Sequence, residues 1–123
     1  MNAINWFEIP TTDFARATRF YEQIFATPLR VDDSFGEIKL AVLPYTHGAG
    51  VGGALVEMPQ AKPNADGARI YLNGGEDLGR ILDRVTAAGG QVVMPKTHLR
   101  DDIGYIGLFA DSEGNVIGLH SQH

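Results

Sequence analysis

The most chemically suggestive side chain is Glu8, a carboxylate flanked by Trp6, Phe7 and Ile9 in the β-rich run Ile4 to Ile9. Carboxylates are seldom buried without a partner. A strand position for Glu8 therefore points to one of two roles. It is half of an ion pair, with Arg69 as the other half, or a general base whose pKa is raised by apolar walls. His120, near the end of the chain, alternates with Ile117 and Leu119, which turns it away from the core that those two residues fill. Glu57, just before Met58-Pro59, reads as a solvated strand end. His47 and His98 fall in predicted loops, either as surface residues or as groups that close over a ligand. The run Gly48-Ala49-Gly50-Val51-Gly52-Gly53 invites comparison with phosphate-binding loops. It lacks the following Lys-Ser/Thr and the following helix, and reads as a loop between strands. The charged segment His98 to Asp102 reads as a solvated connection or a lid.

Composition narrows these options. The chain has 123 residues, 44% apolar and 20% charged, with 15 glycines and no cysteine. That length suits one domain, and the balance is that of a globular protein. Without cysteine, disulfides, thiol chemistry and thiolate-bound zinc are excluded. A net charge of −5 disfavours nucleic acid and anionic lipid as partners. No apolar run approaches the roughly 20 residues that cross a bilayer, and the N-terminal residues do not form a secretory signal. A cytoplasmic location is the expectation.

The elements that would position these groups come in a repeated order. Ile4 to Ile9 is a predicted strand. A helix follows Thr12 or Asp13, with Phe14, Ala17, Phe20, Tyr21, Ile24 and Phe25 on one face, and Pro28 stops it. Strands are predicted at Leu29 to Asp33, Glu37 to Leu43 and Gly53 to Met58. The polar segment Pro59 to Asp66, with two prolines, reads as a linker. The order then recurs: strand Arg69 to Asn73, helix Asp77 to Ala88 ended by Gly89-Gly90, and strands Gln91 to Met94, Tyr105 to Ala110 and Val116 to His120. The fold expected is α+β: two tandem βαβββ modules, about 1–58 and 67–123, each with a helix on one face of a four-stranded sheet.

The segment Asn5-Trp6-Phe7-Glu8-Ile9-Pro10-Thr11-Thr12-Asp13-Phe14-Ala15-Arg16-Ala17-Thr18-Arg19-Phe20-Tyr21 resembles the first module of the vicinal-oxygen-chelate superfamily. That superfamily includes glyoxalase I, extradiol dioxygenases and the bleomycin resistance proteins. Asp111-Ser112-Glu113-Gly114-Asn115, leading into Val116-Ile117-Gly118-Leu119, resembles its closing hairpin. The resemblance implies two curled modules around a central cleft, and a homodimer. It also implies where metal-using members carry ligands. Those positions fall on Trp6, near Glu57, on Ile70 or Tyr71, and on Gly118, so three of four lack a suitable donor.

The cleft lining expected on this basis is Trp6, Glu8, Leu55, Glu57, Arg69, Tyr71, Tyr105, Phe109 and His120, with Asn73 sharing the face of Tyr71. No cofactor is expected. A divalent metal remains possible at a displaced site made of Glu8, Glu57 and His120. Three functions compete: a metal-independent protein that binds a small molecule, a metal-dependent lyase, isomerase or dioxygenase in which Glu8 moves a proton, and a regulatory domain with an empty cleft.

Overall fold

The computed structural model describes residues 2–123. The first module runs β1 (Trp6–Pro10), α1 (Phe14–Phe25), β2 (Arg30–Phe35), β3 (Ile38–Val42) and β4 (Gly52–Glu57). The second runs β5 (Tyr71–Asn73), α2 (Gly79–Ala88), β6 (Gln91–Arg100), β7 (Gly104–Ala110) and β8 (Val116–Ser121). The chain is thus mixed α+β, with the order βαβββ twice. No helix among the described residues is long and apolar enough to cross a membrane.

Local chemistry explains the helix ends. Asp13 caps α1 by accepting the Arg16 N–H at 3.0 Å. Ala26 ends it in the left-handed conformation at φ 53°, two residues before the predicted stop at Pro28. The Ala26 and Thr27 N–H groups close the last turn on the Gln23 and Glu22 carbonyls. α2 ends as expected at Gly89, whose φ of 108° suits glycine.

Two four-stranded sheets form, in the orders β1-β4-β3-β2 and β5-β8-β7-β6. In each, the first strand of the module lies parallel to its last, β1 to β4 and β5 to β8. One strand is longer than expected: β6 continues past Met94 to Arg100, so His98 belongs to a strand rather than a loop. Pro95 is tolerated there because β6 is an edge strand whose register shifts between Met94 and Thr97.

The helix-facing sides of both sheets contribute to one core. Ile9, Leu55 and Ala41 from the first sheet meet Leu72, Phe109 and Leu119 from the second, with Ala17, Phe20, Tyr21 and Ile24 of α1 and Ile81, Leu82 and Val85 of α2. The opposite sheet faces are open. A small second cluster, Val42, Ala54 and Val56, lies on the open face of the first sheet, where Ala61 of the connecting segment packs on it.

A polar cluster locks the closing hairpin onto α1. Buried Asp111 accepts from the Tyr21 hydroxyl at 2.8 Å, from Asn115 Nδ2 at 3.0 Å, and from the Glu113 and Asn115 backbone N–H groups at 2.9 Å. Asn115 Nδ2 also reaches the Pro10 carbonyl at 2.9 Å. Glu113 accepts from the backbone N–H groups of Thr12 and Asp13, at 2.9 and 2.7 Å, and pairs with Arg16 at 2.7 Å. A carboxylate at the start of α1 satisfies N–H groups that the helix leaves unpaired. Burial pushes the Glu113 carboxyl up, but Arg16, Ser112 and the two N–H groups outweigh it and hold the pKa at about 2. Asp111 goes the other way: burial raises its pKa against the pull of Asn115 and Tyr21. The motif that signalled the family at the sequence level thus holds the modules together.

Candidate functional site

Strand register assigns each candidate to a face, because residues paired across a ladder point to the same side. Trp6 pairs with Gly52 and Glu8 with Ala54. Tyr71 pairs with Gly118 and Asn73 with His120. Phe7, Ile9 and Leu72 turn to the core, so Trp6, Glu8, Tyr71, Asn73, Gly118 and His120 occupy the open faces. Trp6 is 39% exposed and Tyr71 48%.

Each module repeats one arrangement there: a strand aromatic beside a glycine that carries a ring above it. In the first, the Tyr45 ring covers Gly52, where an added Cβ would come within 2.7 Å of it, and meets Trp6 edge-on at 6.3 Å between ring centres. In the second, the Tyr71 ring itself covers Gly118, so closely that a Cβ there would collide with it. Glycine is required at both positions by the close approach of the ring. Sequence reading passed over Tyr45, which lies in an irregular loop with no pattern to mark it.

A cavity of about 650 Å³ opens between β1 and β5, each an edge strand of its sheet, beside the C-terminal end of α1. Its walls are mainly apolar, including Phe7, Phe25, Leu43, Val51 and Ile70, and its polar groups include Arg69, Tyr71, Asn73 and Thr27. Of the predicted cleft residues, it contains Arg69 and Tyr71.

Several expected cleft residues lie elsewhere. Leu55 and Phe109 are fully buried in the helix-side core, Phe109 against the rings of Phe20 and Tyr21. Tyr105 shares the Phe109 face of β7. It packs against the core, with Lys96 Nζ 4.6 Å from its ring centre and His98 beside it. Glu57 shares the Leu55 face of β4, opposite to Glu8, and pairs with Lys39 at 3.6 Å. Glu8 is exposed, and the expected ion pair with Arg69 is not formed. His120 is half-buried, with Nε2 hydrogen-bonded to the Ile103 carbonyl.

These placements decide how a metal would fare. Glu8, Glu57 and His120 do not converge, because Glu57 points to the other side of its sheet. Among the described residues no three His, Asp or Glu side chains are grouped to hold an ion. The internal repeat also corrects the ligand position expected on the fourth strand, near Glu57: Gly52 stands beside Trp6 as Gly118 stands beside Tyr71, so Gly52 rather than Glu57 is the counterpart. The four positions thus offer an indole, a phenol and two glycines. A longer side chain at either glycine would have to displace a tyrosine ring. These residues do not fit a divalent ion, which needs several O or N ligands at close range.

Comparison with known proteins places this architecture. The sequence model of the Glyoxalase/Bleomycin resistance protein/Dioxygenase superfamily matches residues 3–119. The chain is 30% identical over 121 residues to the Mycobacterium bovis protein named "Putative glyoxylase CFP32", covering 94% of the chain but 44% of that protein. The chain therefore spans less than half the length of the curated relatives it matches. Among solved structures, the antibiotic binding protein TnmS3 from Streptomyces sp. CB03234 superposes with a TM-score of 0.68 at 24% identity, over 98% of this chain and 96% of that one. A glyoxalase I mutant from Zea mays gives 0.73 at 20% identity, over 96% and 46%. The match over residues 3–119, with the doubled βαβββ order, establishes that the chain belongs to the Glyoxalase/Bleomycin resistance protein/Dioxygenase superfamily.

Proposed function

We propose that this domain binds a small organic molecule without a metal ion. The observation that carries the reading is the content of the four paired positions: Trp6 with Gly52 and Tyr71 with Gly118 present ring surface, with the glycines covered by tyrosine rings and no imidazole or carboxylate among the four. Ring faces and an adjoining apolar cavity suit an organic ligand, which gains most of its affinity by leaving water. The fold likeness to an antibiotic binding protein is consistent with this reading.

The name of the mycobacterial relatives favours a second reading, a metal-dependent lyase, isomerase or dioxygenase. It requires ligands that these open faces do not supply, so they would come from another chain. The partner we propose in either case is a second copy of this chain, laid over the exposed Trp6 and Tyr71.

The test is metal analysis of protein purified without chelator, followed by a thermal-shift screen of aromatic compounds in EDTA. The expected result is no stoichiometric metal and a raised melting temperature with at least one compound. A ligand at about 100 times its Kd adds about 2.7 kcal/mol. One equivalent of tightly held transition metal would overturn the reading.

A further inference from the structure

We infer that the cavity between β1 and β5 is a binding site for an apolar, ring-containing monoanion such as an aromatic carboxylate, with Arg69 as its counter-charge. The inference rests on the proposed metal-independent binding and names the class of ligand.

Three features of the cavity support it. First, its volume of about 650 Å³ falls within the range of small-molecule sites, and its walls are dominated by Phe7, Phe25, Leu43, Val51 and Ile70. Second, its lining includes one guanidinium and no Asp or Glu, although the chain carries 15 acidic against 10 basic residues. Third, that guanidinium is free. Arg16, Lys39, Lys96 and Arg100 each pair with a carboxylate; Arg69 has no ion-pair partner among the described residues, and of the six such cations it is the one that lines this cavity. An unpaired guanidinium at the mouth of an apolar cavity is a fork of N–H donors shaped for a carboxylate.

Asn73 adds a second donor. Its Oδ1 accepts the Gly75 N–H at 2.9 Å, which fixes the amide and leaves its Nδ2 group available to the cavity. The arrangement selects by charge. A neutral ring compound gains the apolar contacts alone, an anion gains the charge-assisted bonds as well, and a cation meets repulsion from Arg69.

The probes are 2-naphthoate and its neutral counterpart 2-naphthamide, titrated in EDTA into the whole chain and into Arg69→Gln. Isothermal calorimetry gives affinity, and backbone amide NMR shifts give location. The expected result is that naphthoate binds about tenfold tighter than naphthamide, and that R69Q, with an unchanged melting temperature, abolishes the difference. Shifts should centre on Thr27, Leu43, Ile70 and Asn73. Equal affinity for both compounds, retention of the preference in R69Q, or shifts confined to other regions would overturn the inference and leave metal-independent binding standing. Binding of neither compound in EDTA also overturns the inference. If binding then returns on adding Ni²⁺, the metal-independent reading falls with it.

Discussion

Two regions of this molecule treat polar groups in opposite ways. At the junction of hairpin and helix, Asp111, Glu113, Asn115, Arg16 and Tyr21 satisfy one another. Among the described residues no buried side-chain polar atom is left without a partner. On the open faces and at the cavity between the modules, Glu8, Arg69 and Tyr71 stay exposed and make no side-chain ion pair. Tyr21, Asp111 and Glu113, whose pKa values are shifted by burial and by hydrogen-bond partners within the cluster, lie in the first region, away from the cavity. At the joint between the modules the charges are matched by partners, whereas the guanidinium at the cavity is not.

Substitutions should separate the two regions, and the largest effect is expected in the core beside the joint. Phe109→Ala removes a fully buried ring packed against Phe20 and Tyr21 and should cost about 3–5 kcal/mol of unfolding free energy. Urea denaturation measures this. A loss under 1 kcal/mol on the scale of typical surface changes would place Phe109 outside the core.

Glu113→Gln should cost less, about 1–3 kcal/mol at pH 7, and its cost should depend on pH. The folded-state pKa is held at about 2 against an ordinary 4.5. The stabilisation is therefore complete above about pH 4.5 and is lost as the pH falls toward 2. Asp111 has the opposite sign. Its raised pKa means that the fold gains stability as the pH falls through that value toward 3.8. The gap between wild type and E113Q should accordingly narrow between about pH 4.5 and 2 in a pH series of denaturation curves. A gap that stays constant would show that the carboxylate charge is not what Glu113 contributes.

The smallest effect belongs to the open face. Glu8→Gln should change stability by no more than about 0.5 kcal/mol, since the carboxylate is exposed and unpaired. A loss of 2 kcal/mol or more, well beyond the surface range, would mean that Glu8 has a structural partner and that the contrast between the regions is overdrawn.

The legibility of each strand in the sequence follows from its pattern. In β1 Glu8, and in β8 His120 next to the apolar Ile117 and Leu119, fixes which face looks outward, and the register agrees. In β4 and β7 neither face is marked as outward by the pattern: Gly52, Ala54 and Val56 alternate with Gly53, Leu55 and the terminal Glu57, which lies on the core-facing side, and Tyr105, Gly107 and Phe109 alternate with Ile106, Leu108 and Ala110. Alternation then carries no phase. Leu55, Glu57, Tyr105 and Phe109 accordingly turn to the helix side of their sheets, not to the expected cleft face. Tyr45 and the cavity walls were invisible for another reason: residues from β1, α1, a loop and β5 meet there, and no local pattern encodes their meeting.

By itself the sequence determined the doubled βαβββ order, the Asp13 cap, the Gly89 stop and the closing hairpin, because each depends on periodicity or on the backbone chemistry of a few neighbouring residues. Only the tertiary structure decided which apolar strand faces turn inward, that Glu57 and Glu8 point apart, and that a cavity with one free guanidinium opens between the modules. Those outcomes depend on how two sheets and two helices share a single core, and that packing is set by contacts between residues far apart in the chain.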